Sequence, residues 1–228
     1  MEEDKIVMSL GGSLVVPDEV DSDFLISFKE LITSGVKNGK RFYIIVGGGK
    51  TCRRYQQAGE KVSNISTIDA DMIGIYSCLL NGTLVRCIFG DLAHNALITD
   101  ISSLDENITA GVVILGPNKP GNSSDLGAVQ IAKQVGAKKI MNLSNIDYAY
   151  DKDPNKFPDA KKIEKISWAD YRKLIPTEWN PGLSSPFDPI ASRMAEAEGM
   201  EVIIMNGKNL LNLQKCIDGE EFLGTQIK

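Results

Sequence analysis

Two apolar runs in this chain end in glycine turns suited to holding anions. Ile6-Val7-Met8-Ser9-Leu10 leads into Gly11-Gly12-Ser13, and Phe42-Tyr43-Ile44-Ile45-Val46 leads into Gly47-Gly48-Gly49-Lys50. A turn without Cβ atoms lets several backbone N–H groups approach one phosphate, and a helix starting there adds the positive end of its dipole. Each charge-assisted contact of this kind is worth about 1.5–3 kcal/mol. Two such turns predict two bound anions; the plainer reading of each is a tight strand-to-helix turn. The familiar phosphate motifs are absent. Gly49-Lys50-Thr51 would close a P-loop only with glycine at position 44, which is Ile44, and a dinucleotide fingerprint opening at Gly47 would need glycine in place of Cys52. Neither a P-loop NTPase nor a nicotinamide dehydrogenase is supported.

Other groups with chemical potential lie in three places. Ser123-Ser124-Asp125 stands at a predicted helix start, where it either caps the helix or donates to a phosphate or holds a metal. Asp147, Tyr148, Tyr150, Asp151 and Asp153 crowd a loop that directly follows a strand. A tyrosine face there would stack on a nucleobase, and the carboxylates would order basic groups, magnesium or a ribose. The plainer reading is a solvated loop with a β-turn over 151–154. Arg53 and Arg54 follow the triple glycine and add positive charge, and Asp71 is an acid in a run rich in Ile and Met. Asp71 either caps its helix or bonds a ligand. Together these parts fit phosphoryl transfer, in which positioning and charge neutralisation carry most of the acceleration.

Composition narrows the choice. The chain has 228 residues, 43% of them apolar, and a net charge of −5, so it can bury a full core and shows no basic field for nucleic acid. Its longest apolar runs are about five residues, against the ~20 that span a bilayer, so no membrane association is expected. The opening Met1-Glu2-Glu3-Asp4-Lys5 lacks a signal-peptide layout, and the four cysteines (52, 78, 87 and 216) have no C-x-x-C spacing. The expectation is a cytoplasmic protein with buried reduced thiols. The one histidine, His94, lies in a polar stretch and reads as a surface residue, so zinc, haem and Ser-His-Asp chemistry lack raw material.

Strand-like and helix-like segments alternate throughout. Helices are predicted over about 23–38, 51–62, 68–81, from Asp125, over 188–199 and over 210–217; further strands over 111–116, 139–143 and 201–205. The stretch 91–110 shows no usable periodicity. Alternation of this kind argues an α/β sandwich of three layers, with a largely parallel sheet and ligands at the C-terminal ends of its strands.

The order of the motifs resembles the amino-acid kinase superfamily, and within it the archaeal-type uridylate (UMP) kinases. The likeness runs from Lys5 to about Gln226 through Gly11-Gly12-Ser13, Val46-Gly47-Gly48-Gly49-Lys50, Asp71-Met72-Ile73-Gly74-Ile75, Pro120-Gly121-Asn122-Ser123-Ser124-Asp125, Asn145-Ile146-Asp147, Tyr150-Asp151-Lys152-Asp153-Pro154 and Asp188-Pro189. The resemblance implies the three-layer amino-acid kinase fold as one domain over 1–228. Its acceptor-side half would end near 135, with a donor-side half over about 136–228. It implies transfer of the γ-phosphoryl group of Mg-ATP to UMP, within pyrimidine nucleotide biosynthesis. By residue, it places Gly12, Ser13, Gly49, Arg53, Ser144, Asn145, Tyr150 and Asp153 on ATP. It places Gly48, Asp71 and the loop Asn118, Lys119, Pro120, Gly121, Asn122, Ser123 and Ser124 on UMP. Asp125 and Asp147 would organise the site around the transferred group, with Arg53 assisting. It further implies ATP and Mg2+ as cofactors, small nucleotides as the ligands, and a homohexamer built as a trimer of dimers.

The chain departs from the pattern at a few positions. Ser9 and Asn145 stand where bacterial members carry lysine, Leu79 where archaeal members often carry arginine, and Tyr148 where glycine usually follows the aspartate. Two alternatives therefore stay open: a nucleotide-binding relative used for storage or regulation, and a kinase for another small phosphate or carboxylate acceptor.

Overall fold

The computed structural model describes residues 4–105, 107–154, 156–178 and 185–228. In the first half these form β1 (Asp4–Leu10), α1 (Gly12–Val15), α2 (Ser22–Lys37), β2 (Lys40–Val46), α3 (Gly49–Ser63), α4 (Thr67–Phe89), β3 (Val112–Leu115) and α5 (Ser124–Val135). The second half adds β4 (Lys139–Ser144), β5 (Ala149–Tyr150), β6 (Lys162–Ile163), β7 (Lys165–Ile166), α6 (Trp168–Leu174), α7 (Pro189–Ala197), β8 (Glu201–Asn206), α8 (Leu210–Ile217) and β9 (Thr225–Ile227).

Seven strands make one sheet in the order β3-β2-β1-β4-β8-β9-β7. β1, β2, β3, β4 and β8 are mutually parallel, whereas β9 runs antiparallel to β8 and β7 follows β9 in parallel. The chain winds outward from β1 through β2 to β3, then crosses back to β4 on the other side of β1. Strand order thus reverses beside β1, and the loops leaving β1 and β4 border a crevice at that switch point. β5 and β6 form a separate two-stranded ribbon.

The central strands are buried on both faces, which is why their sequences read as continuous apolar runs. Alternate residues divide between two cores. Met8, Leu10, Phe42, Ile44, Met141 and Ile203 face the layer containing Phe28, Ile32 and Leu213 of α2 and α8. Val7, Tyr43, Ile45, Ile140 and Val202 face the layer containing Val129, Ile131, Ala191 and Trp168 of α5, α7 and α6. At the far end of the sheet from the glycine turns, lysines close helix C-termini. Lys5 Nζ donates to Val135 O, Lys40 Nζ to Ile217 O and Lys138 Nζ to Glu198 O, as the negative end of a helix dipole favours.

The alternating elements and parallel sheet follow the sequence reading, with several differences. The helix expected over 68–81 continues to Phe89. Together with the 3-10 turn after it, 67–92 is long and apolar enough to cross a membrane by length and composition alone. It packs one side on α3, β3, β2 and α2 and leaves Ile68, Tyr76 and Leu80 exposed on another. The stretch 91–110 carries two 3-10 turns and bridges β3 at Ala93 and Ile98. Of the four cysteines only Cys216 is buried. Cys52 and Cys78 are half-buried and Cys87 is exposed, so the expectation of four buried thiols is corrected; all four are unpaired. The turn expected over 151–154 forms later, where Asp153 O accepts from Lys156 N and Phe157 N.

Candidate active site

The two glycine turns meet. Leu10 O accepts from Gly47 N at 3.0 Å, Leu143 O accepts from Gly11 N at 2.8 Å, and Val16 O accepts from Lys50 N at 3.0 Å. These bonds press the backbone of Gly12 directly against that of Gly47 and Gly49. A Cβ on Gly12 would collide with Gly49 N and Gly47 O, and one on Gly49 would collide with Gly12 O. Gly49 also has φ +63, the left-handed region. Glycine at both positions is therefore a condition of the contact. α1 and α3 start at Gly12 and Gly49, so two helix N-termini open at the same place. Asn81, buried inside α4, donates its Nδ2 to Gly47 O at 2.8 Å and holds the second turn from behind. That residue was missed in the sequence; the signal was an amide standing alone in an apolar run.

Asp71 and the loop 118–124 are tied together. Ser66 caps α4, and the carboxylate of Asp71 accepts from Gly121 N at 2.9 Å. The capping alternative for Asp71 thus falls away, and two expected acceptor-side elements are joined by one charge-assisted bond. Ser123 is the N-cap of α5, its hydroxyl accepting from Leu126 N at 3.1 Å, and Ser124 is the first helical residue. Asn118, Lys119 and Pro120 are exposed, and Asn122 is half-buried. Gly48 lies where a Cβ would meet Cys52 Cβ at 2.7 Å, and Leu79 packs against Gly116 beside the same loop.

Asp125 turns inward beneath the turns. Its Oδ2 accepts from Asp188 N at 3.0 Å, while Ser9 Oγ and Asn142 Nδ2 stand farther off, at 3.4 and 3.5 Å from Oδ1. One short bond does not repay the lost hydration, although the residue keeps some solvent access. Burial pushes the carboxyl up from 3.8 to about 7, with the neighbouring Asp188 carboxylate adding to the rise. Asp188 itself caps α7, accepting from Ile190 N and Ala191 N at 2.7 Å each. Asp125 therefore joins β1, β4, α5 and α7 at one point.

The loop after β4 supplies the other side. Ser144 O accepts from Gly207 N at 2.9 Å, Asn145 is exposed, and Asp147 Oδ1 accepts from Asn206 Nδ2 at 2.9 Å. Tyr150 pairs with Lys162 in the β5–β6 ribbon, and Asp153 lies 3.7 Å from Lys156 at its tip. Tyr148 corrects an expectation. Its ring is only 9% exposed and is covered by Lys162 Nζ at 4.8 Å from the centroid, so it does not offer a face to a base. The ring packs beneath Lys162 of the ribbon. Arg53 is exposed on α3, one turn beyond Gly49, and among the described residues it makes no hydrogen bond to the other expected site residues.

Interlocked glycine turns on parallel strands, with helix N-termini behind them, have the backbone chemistry that suits an anion, and residues 4–206 match the profile of the Amino acid kinase family. The chain belongs to the amino acid kinase family. Within it, the chain is 31% identical to the uridylate kinase of Methanobrevibacter smithii over 98% of both chains. It is 30% identical to that of Methanocaldococcus jannaschii, over 93% of this chain and 96% of the relative. The crystal structure of the uridylate kinase from Archaeoglobus fulgidus superposes with a TM-score of 0.83 at 27% identity, covering 98% of this chain and 100% of that one. A UMP kinase from Ureaplasma parvum, at 17% identity, superposes over the full length of both chains with a TM-score of 0.82 and shows the shared fold.

Proposed function

We propose that this member of the family transfers the γ-phosphoryl group of ATP to UMP, giving UDP for pyrimidine nucleotide synthesis in the cytoplasm. The observation that carries this reading is the backbone interlock of Gly12 with Gly47 and Gly49. It brings two anion cradles, and hence two phosphorylated ligands, to within reach of one transfer. The names of the relatives point to UMP as the acceptor. In this reading ATP lies over the half from about 136 onward, on Ser144, Asn145, Tyr150 and Asp153, and its phosphates reach across to Gly12, Ser13, Gly49 and Arg53 in the first half. UMP lies over the half up to about 135, on Gly48, Asp71 and the loop 118–124.

Magnesium fits the donor set without a dedicated cage. Among the described residues no group of three or more His, Cys, Asp or Glu gathers, and Mg2+ bound with ATP commonly uses only one or two carboxylates. Asp147, with one oxygen on Asn206, is the carboxylate that would hold it, and the ion would neutralise phosphate charge. This chain's own residues bind and orient: the glycine turns hold the two phosphates, and Asp125 fixes the strands and helices around them.

Calorimetric titration of UMP and of a non-hydrolysable ATP analogue tests the two-site reading. The analogue and UMP are expected to bind together, one of each per chain. Asp71→Ala is expected to weaken UMP about tenfold by freeing Gly121, with the analogue unaffected. Competition between the two ligands, or equal losses for both, contradicts the assignment.

The same reading includes assembly as a hexamer built from dimers. α3 and α4 expose Tyr55, Ile68, Tyr76 and Leu80 at 67, 66, 65 and 62%, an apolar surface suited to pairing with a second copy. Tyr76→Glu with Leu80→Glu is expected to reduce the particle to smaller species in sedimentation velocity. An unchanged sedimentation coefficient rules out this face.

A further inference from the structure

The turn between β8 and α8, Asn206-Gly207-Lys208, approaches the donor side from a part of the chain that carries no recognisable motif. Gly207 N bonds Ser144 O at 2.9 Å, and a Cβ on Gly207 would strike Leu14 of α1. The turn is thus wedged between the first glycine turn and the loop after β4. From it, two side chains diverge. Asn206 Nδ2 donates to Asp147 Oδ1 at 2.9 Å, while Asn206 Oδ1 accepts from Lys208 N at 3.0 Å. Lys208 Nζ reaches back to Asp21 Oδ2 at 3.0 Å, on the segment that leaves α1.

That lysine is held by a contact it can exchange. Asp21 already has its own role as N-cap of α2, accepting from Phe24 N at 3.0 Å. This backbone bond is the leading cause that holds its carboxyl below the usual range, with Lys208 second. The pair lies at the surface, with the lysine side chain 49% exposed, and such pairs contribute little to stability. A triphosphate offers far more negative charge than one carboxylate, and a lysine's flexible stem lets its point charge follow it.

We propose that Lys208 is a donor-phosphate residue: it leaves Asp21 and binds the triphosphate of ATP, while Asn206 keeps Asp147 oriented toward the same ligand. This deepens the two-site reading and rests on its donor side.

Binding of a fluorescent ATP analogue to the full chain and two variants decides the matter. Lys208→Met is expected to weaken the analogue about tenfold, the loss of one charge-assisted contact. Asp21→Asn keeps a good helix cap but removes the lysine's competitor, so it is expected to tighten the analogue about twofold. UMP binding is expected to stay constant in both. Opposite signs are the signature, because a merely structural strap would weaken both variants alike. Thermal melts run alongside identify an unfolded variant, in which case Lys208→Gln replaces Lys208→Met with the same expectation. Unchanged analogue affinity in a folded Lys208 variant, or equal weakening in both, overturns the proposal while leaving the donor site standing. Failure of the unmodified protein to bind the analogue overturns both together.

Discussion

Gly12→Ala is expected to reduce turnover at least about a hundredfold and to cost more than about 3 kcal/mol of stability. The added Cβ has no rotamer with which to escape. It would lie against Gly49 N, Gly47 O and Gly47 C, all backbone atoms of a turn pinned by the Leu10–Gly47 bond and by Asn81. Relief requires the two glycine turns to separate, and with them the two anion cradles. Gly90→Ala supplies the contrast. Gly90 has a positive φ, +54, which Gly12 lacks, but a Cβ there meets nothing within 4 Å. It is expected to cost about 1–3 kcal/mol of backbone strain and leave turnover untouched. Urea unfolding and steady-state rates on the two variants check this pair. Near-normal turnover in Gly12→Ala would show that the contact between turns is dispensable.

Asp125→Asn is expected to uncouple activity from stability. Burial raises the folded-state pKa of this carboxyl from 3.8 to about 7, so the fold prefers the neutral form. The stability this contributes is fully present below pH 4 and is lost as pH rises through about 7. Asparagine accepts from Asp188 N as the carboxyl does but never carries the charge. The variant is therefore expected to melt several degrees above the unmodified protein at pH 8, with the gap closing toward pH 5. Turnover is expected to fall at least about tenfold at pH 8, where the unmodified protein carries the charge that organises the site, with the difference narrowing toward pH 5. A melting difference that does not change with pH contradicts the buried, charge-averse environment. Unimpaired turnover removes Asp125 from the site.

Much of this architecture was legible in the chain. β-branched runs ending in glycine marked β1 and β2 and the turns after them, because burial on both sheet faces leaves an unbroken apolar signature. The helix predicted over 210–217 forms over those residues, and the structure adds Asn209 as its cap. Other features had no local signal. α4 presents apolar residues on nearly every side, so its period fades and its last eight residues were not read as helix. The β5–β6 ribbon consists of two residues on each side, too short for alternation to register. Among the site residues, Ser123-Ser124-Asp125 showed a helix cap plainly. That Ser123 caps while Asp125 faces inward depends on Asp188, some sixty residues away. Asn81, Asn206 and Lys208 act through partners distant in sequence, which only the fold brings near.

Product analysis decides whether this protein transfers a phosphoryl group from ATP to UMP. The purified protein would be incubated with Mg-ATP and UMP, CMP, GMP, AMP or no acceptor, and the nucleotides resolved by chromatography. The account predicts UDP and ADP in equal amounts in the UMP reaction, and intact ATP without an acceptor. Intact ATP in every reaction would contradict it and leave a nucleotide-binding protein on a kinase fold.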